Sequence, residues 1–267
     1  MRVTYPYLGK QGRLGNQLFQ IAATIAYAKE HGAEAFFPHW EYNQYIGHKI
    51  YECEPIRGFA DYHEPHFHYS EIPKFDGDVN LHGFFQSEKY FKKHESIIRE
   101  TFMLNDHWHD FVTKRFMTQT MDYQYKNSWC QRRICAIHVR RGDYVTNVHT
   151  NAYHGSLGVE YYRKAVEWMY GEPLPTDVLF YVFSDAPQWC KENLNFPHMI
   201  FSEGEEDIVD LFKMARCDDF IIANSSFSWW GAWLSGKKDK RVVAPRDWFL
   251  GAKLFCIDLL PSEWNTI

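Results

Sequence analysis

The chain has 267 residues, 45% hydrophobic and 24% charged, enough to bury at least one full core and compatible with two compact lobes. Its 29 basic and 34 acidic residues leave a net charge of -5, which excludes the broad basic field of a nucleic-acid binder; an anionic ligand must be held by local charges. The six cysteines form no Cys-x-x-Cys pair and read as reduced thiols, and no stretch has the apolar length of a signal peptide or a membrane span, which predicts a cytoplasmic protein.

Val3 to Leu8 reads as a short buried strand leading into Gly9, Gly12 and Gly15. An amphipathic helix follows, with Leu18, Ala22 and Ile25 on one face and Gly32 as its C-cap. Ala35 to Phe37 reads as a second strand, and a strand, loop, helix, strand unit implies a parallel sheet. Residues 40 to 130 are dense in Tyr, His, Phe and Trp without a clear period, and no element is assigned there. Beyond them, Ile134 to Val139, Val178 to Phe183, Phe220 to Ala223 and Val242 to Ala244 read as strands. Between these, Glu160 to Tyr170, Asp207 to Cys217 and Trp229 to Leu234 read as helices; Ile208, Leu211, Phe212 and Ala215 fall at i, i+3, i+4 and i+7. The alternation predicts an α/β protein of two doubly wound lobes, residues 1–130 and 131–267.

Three of these strands stop at compact polar groups: Arg140-Arg141-Gly142-Asp143, Ser184-Asp185 and Asn224-Ser225-Ser226. In open parallel sheets the carboxyl ends of the strands line one crevice, so the three groups are expected to converge. The Arg140 guanidinium, planar and permanently charged, suits a diphosphate; its plainer alternative is an ion pair with Asp143. Adjacent side chains on extended backbone point oppositely, so one arginine faces the crevice while the other packs or pairs. Ser225, Ser226 and Phe227 open a predicted helix, where free backbone N–H groups favour an anion, although serine also caps helices routinely. Asp185 can accept from the N1–H and amine of a guanine, or cap the helix that begins near Pro187.

Other signals are discounted. The spacing of Gly9, Gly12 and Gly15 is not Gly-x-Gly-x-x-Gly, and no acidic residue closely follows the second strand, which argues against a dinucleotide-dependent oxidoreductase. His63, His66 and His68 beside Pro65 read as an exposed loop rather than metal ligands, and Asp76-Gly77-Asp78 as a turn.

His138-Val139-Arg140-Arg141-Gly142-Asp143-Tyr144 is similar to the His-x-Arg-Arg-x-Asp signature shared by alpha-1,2-, alpha-1,6- and protein O-fucosyltransferases. With Gly12-Arg13-Leu14-Gly15-Asn16-Gln17, Gly83-Phe84-Phe85-Gln86-Ser87-Glu88-Lys89-Tyr90-Phe91, Phe183-Ser184-Asp185 and Asn224-Ser225-Ser226-Phe227-Ser228-Trp229-Trp230, the chain resembles the bacterial alpha-1,2-fucosyltransferases of glycosyltransferase family 11. The resemblance implies a GT-B architecture of two Rossmann-like lobes facing a cleft, GDP-beta-L-fucose as donor bound by residues 131–267, inversion, and no required metal or other cofactor. Arg140 would hold the beta-phosphate, His138 would lie near the nucleoside, Asp185 would read guanine, and Asn224 and Ser225 to Phe227 would complete the phosphate pocket. Arg13 would join the donor site, and Asn16 would reach toward fucose and acceptor. Asp143, His154 and Glu88 are the candidates for the general base. The expected partner is a terminal beta-galactoside in an oligosaccharide or polysaccharide, not a nucleic acid, and a peripheral place at the inner membrane is compatible with this. A non-catalytic glycan-binding protein on the same fold, or a fucosyltransferase of another linkage, is the competing reading.

Overall fold

A computed structural model describes residues 1–54, 58–250 and 256–267. The chain divides into two compact units, Met1–Asp110 with Phe255–Pro261, and Phe111–Leu254 with Ser262–Ile267.

The first unit contains β1 (Arg2–Thr4), α1 (Leu14–His31), β2 (Glu34–Phe36), β3 (Ala60–His63), β4 (Val79–His82) and α2 (Glu95–Thr101). Its four strands are parallel, in the order β2-β1-β4-β3. The first strand is shorter than its apolar run suggests. Tyr5 leaves it, fully buried, with its hydroxyl 2.7 Å from Gln11 Oε1 and 2.9 Å from the Gly83 carbonyl, so the chain turns where a polar anchor is available. Helix α1 is buried on most of its circumference, and it ends where Gly32 adopts φ +63° and donates its N–H to the Ala28 carbonyl. That left-handed conformation suits glycine. Asp78 of the Asp76-Gly77-Asp78 stretch pairs with Arg2 at 2.6 Å.

Helix α3 (Asp106–Asn127) spans the division at residue 110, and the expected boundary at 130 lies past its end. The second unit then runs β5 (Arg133–Val139), α4 (Gly142–Thr146), α5 (Val148–His154), α6 (Val159–Tyr170), β6 (Val178–Ser184), α7 (Pro187–Asn193), β7 (Met199–Phe201), α8 (Asp207–Met214), β8 (Asp219–Ile221), α9 (Ser226–Leu234), β9 (Arg241–Ala244) and β10 (Asn265–Thr266). Its six strands, all parallel, are ordered β10-β9-β8-β5-β6-β7. Strand β5 is buried along almost its whole length because helices cover both faces of a parallel sheet. From β5 the chain adds β6 and β7 on one side, then crosses back to add β8, β9 and β10 on the other. The switch therefore falls between β5 and β8, and the crevice of such a sheet lies outside the carboxyl ends of those two strands. Two parallel-sheet α/β units are the architecture that the sequence predicts. Among the described residues, no helix is long and apolar enough to cross a membrane.

Candidate active site at the carboxyl ends of β5, β6 and β8

Strand β5 delivers His138, buried at 5% exposure, and then Arg140, whose side chain is 15% exposed. The guanidinium is held by two carboxylates: Nη2 donates to Asp143 Oδ1, and Nη1 lies 2.9 Å from Asp185 Oδ2. It also stands 5.4 Å from the Tyr144 ring centroid. A guanidinium has five N–H donors, so two ion pairs orient the fork and leave other N–H groups for an anion. Arg141 points elsewhere, its guanidinium 4.0 Å from the Trp189 ring centroid. Arg140 thus forms the ion pair with Asp143 that was its plainer alternative, while Arg141 packs on Trp189.

Asp185 does not cap α7, whose N-cap is Ala186. Its Oδ1 instead accepts the Arg141 backbone N–H at 2.8 Å while Oδ2 holds Arg140, so one carboxylate brackets the loop that follows β5. Gly142 makes that bracket possible: a Cβ there would lie 2.5 Å from Asp185 Oδ2. Ser225 is the N-cap of α9, but its side chain makes no capping hydrogen bond. The start of α9 carries the positive end of the helix dipole, which favours an anion. The Phe227 ring lies 5.4 Å from the His138 ring.

Asn224 joins β8 to this group. Its Nδ2 donates to the His154 carbonyl at 2.8 Å and to the Trp248 carbonyl at 3.1 Å, while its own carbonyl accepts the Tyr144 hydroxyl at 3.1 Å. Two accepting carbonyls fix the amide orientation and so identify the remaining buried atom as Oδ1, an acceptor. It has no hydrogen-bond partner among the described residues, and neither do His138 Nδ1 and His154 Nδ1. Burial pushes His138 down to about 3, with Arg140 acting in the same direction and Asp185 against it, so the ring is neutral near pH 7. Burial also holds His154 below the usual histidine range; its ring stacks on Tyr144 at 4.6 Å. The cluster therefore combines one oriented cation, a helix start and three buried polar atoms without partners. That set can hold an anion beside a group bearing hydroxyls or N–H groups.

The other expected site residues belong to the first unit. Arg13 is the exposed N-cap of α1. Asn16, in the first turn, accepts from Gln86 Nε2 at 2.8 Å through Oδ1. Glu88 pairs with Lys92 at 3.0 Å. His63 stacks on His82 at 4.5 Å and His66 on His68 at 4.8 Å; among the described residues, no group of three or more His, Cys, Asp or Glu is arranged to hold a metal ion. Sequence reasoning assigned no role to Tyr144, which lies in the short helix α4 after Arg140 and beneath its guanidinium.

Among curated proteins, the chain is 35% identical over 176 residues to the O-antigen biosynthesis glycosyltransferase WbnK of Escherichia coli, covering 64% of this chain and 55% of that one. It is 33% identical over 197 residues to an alpha-1,2-colitosyltransferase of Escherichia coli, covering 72% and 63%. With galactoside alpha-(1,2)-fucosyltransferase 1 of Rattus norvegicus it shares 27% over 241 residues, covering 84% and 62%. The chain thus spans less than two thirds of the length of each of these relatives. The fold is similar to that of the fucosyltransferase NodZ from Bradyrhizobium, with a TM-score of 0.52 at 15% identity over 86% of this chain and 91% of that one. It is also similar to that of POFUT1, with a TM-score of 0.54 at 14% identity over 91% and 97%. The model of glycosyl transferase family 11 matches residues 7–251, nearly the whole of both units, and the chain belongs to that family.

Proposed function

We propose that the protein transfers L-fucose from GDP-beta-L-fucose to the 2-hydroxyl of a terminal beta-galactoside, with inversion and without a required metal. The observation that carries this reading is Arg140, oriented by two carboxylates at the switch point of the sheet and followed across the crevice by the start of α9. The family and the alpha-1,2 linkage named in its relatives supply the reaction class.

As the C1–O bond to GDP breaks, the sugar becomes oxocarbenium-like and the beta-phosphate gains charge. Arg140 and the first N–H groups of α9 offset that charge in a site already organised for it. Each Asp185 oxygen has a second lone pair, so its bracket role is compatible with accepting from guanine. Asn224 Oδ1 and neutral His138 take hydroxyl or N–H donors of the nucleoside and sugar. The acceptor hydroxyl must also lose a proton. Asp143, paired with Arg140, His154, whose ring burial keeps neutral, and Glu88, paired with Lys92, are the candidates to receive it. Arg13 serves the donor, and Asn16 the fucose and the acceptor.

The name of the colitosyltransferase relative supports a second donor reading, since colitose is fucose without its 3-hydroxyl. One experiment separates the readings. GDP release from GDP-fucose and GDP-colitose is followed with and without lactose or N-acetyllactosamine, and the product linkage is read by NMR. Acceptor-dependent release with an alpha-1,2 product is expected, and faster turnover of GDP-colitose would reassign the donor. Binding of glycan without release would leave a glycan-binding protein. Arg140→Lys, which loses the planar fork, is expected to lower kcat by about 100-fold or more. Undiminished turnover in that variant would overturn the phosphate role.

A further inference from the structure

Glu64 follows β3 at the carboxyl end of the first unit's sheet. Its Oε2 accepts two successive backbone N–H groups, Phe84 at 2.8 Å and Phe85 at 3.0 Å, and its Oε1 accepts the Tyr90 hydroxyl at 3.0 Å. Consecutive N–H groups converging on one oxygen form an anion-binding nest, here filled by the protein's own carboxylate. The turn it grips is strained: Phe85, fully buried, has φ +52°, a left-handed conformation that a bulky side chain rarely adopts. Gly83 has to be glycine, because a Cβ there would lie 2.4 Å from Glu64 Cβ.

The residue after this turn is Gln86, 7% exposed, whose Nε2 donates to Asn16 Oδ1 at 2.8 Å. Gly12 closes on Asn16 from the other side, where a Cβ would lie 2.3 Å from Nδ2. An unbroken series of contacts therefore runs from the Glu64 carboxylate through the backbone of residues 84 to 86 to the amide of Asn16. Burial pushes the Glu64 carboxyl up to about 7, so the clamp is held at a cost to folding. An apolar residue of similar size would avoid that cost but could not fix the turn.

We propose that Glu64 is a positioning residue for Asn16: its carboxylate locks the strained turn at Phe84 and Phe85, and the locked turn aims Gln86 so that Asn16 presents its amide in one orientation. The proposal rests on the reading of Asn16 as the residue of the first unit that meets the substrate.

The test is a double-mutant cycle with an arm that does not depend on activity. Glu64→Ala is expected to lower kcat by about tenfold or more while the affinity for GDP stays within about twofold, because the phosphate-holding residues are elsewhere. Glu64→Gln, which keeps an accepting oxygen for both N–H groups, should recover part of the loss. Glu64→Ala combined with Asn16→Ala should be no slower than Asn16→Ala. Losses that multiply, or full kcat in a folded Glu64→Ala protein, would overturn the proposal. Thermal melting establishes folding; if Glu64→Ala does not fold, Gln86→Ala breaks the same series of contacts at its centre and should give the same pattern. If the wild type transfers no sugar, the functional reading fails, and NMR decides the positioning claim by itself. The Asn16 side-chain amide pair, identified by its loss in Asn16→Asp, should shift in Glu64→Gln, and an unmoved signal would refute the coupling.

Discussion

At Gly142 a missing side chain shapes the proposed donor site. The Cα of this residue packs against the carboxylate that orients Arg140, so the position tolerates no Cβ unless Asp185 moves. Gly142→Ala should displace Asp185, free one side of the guanidinium, and weaken GDP binding by about tenfold, which corresponds to about 1.4 kcal/mol. Isothermal titration checks this, and melting should change little because the residue lies at the mouth of the sheet and not in its core. Equal GDP affinity in the variant would mean that the bracket does not orient the cation. The comparison also shows how a structural ion pair and a ligand role coexist on one arginine: the carboxylates occupy part of the fork and point the remainder.

At the scale of elements, α9 combines two demands. Its first turn must present N–H groups, while its body must fit beneath other elements: Trp229, Trp230 and Trp233 are all buried, with Trp229 and Trp230 stacked edge to face at 5.1 Å. Gly231 allows α8 to approach, for a Cβ there would lie 2.4 Å from Met214 Sδ and 2.9 Å from Met214 Cγ. Alanine would raise helix propensity by up to about 1 kcal/mol, but overpacking typically costs about 1–3 kcal/mol. With two successive atoms of a fully buried methionine in the way, the clash should win, and Gly231→Ala should lower stability by about 1–2 kcal/mol in urea unfolding. Met214→Ala in the same chain should then cost less than it does alone, because the two side chains compete for one space. Additive losses would show that α8 and α9 adjust independently.

At the scale of the second unit as a whole, function and stability occupy opposite edges of the sheet. The carboxyl ends of the strands carry the proposed donor site. The amino ends of β5, β8 and β9 are tied by Asp219, whose side chain is fully buried and accepts from Arg133 Nε at 2.8 Å, Arg241 Nη2 at 2.7 Å and the Tyr170 hydroxyl at 2.7 Å. These donors hold its carboxyl below the usual range although burial opposes them. Removing one member of a buried network leaves uncompensated charges, so Asp219→Asn should cost about 3–5 kcal/mol. A depressed carboxyl contributes stability above its unfolded pKa and loses it as pH falls through the folded one. The gap between wild type and Asp219→Asn should therefore be full at pH 7 and shrink in acid, as melting across pH would measure. A gap that widens in acid would refute this account.

Sequence periodicity was sufficient for the parallel strands and helices of the second unit, because long apolar runs such as Ile134 to Val139 have few other places to go than a doubly covered sheet. The same reasoning brings Arg140, Asp185 and Asn224 to one edge, since strand polarity in a parallel sheet is common to all its members. It could not recover β3, β7 or α3. Strands at a sheet edge are short and partly or largely exposed, and α3 buries so little of its surface that no apolar period marks its 22 residues. Nor could it assign partners. That Asp185 brackets a loop instead of capping a helix, that Arg140 meets both Asp143 and Asp185, and that Glu64 grips a turn twenty residues away all depend on distances set by packing. Side-chain type and strand order are local properties of the chain, and they determined which residues would gather. Which of them touch was decided by the tertiary fold, because a hydrogen bond is made or lost within a few tenths of an ångström, a precision that no pattern along the chain encodes.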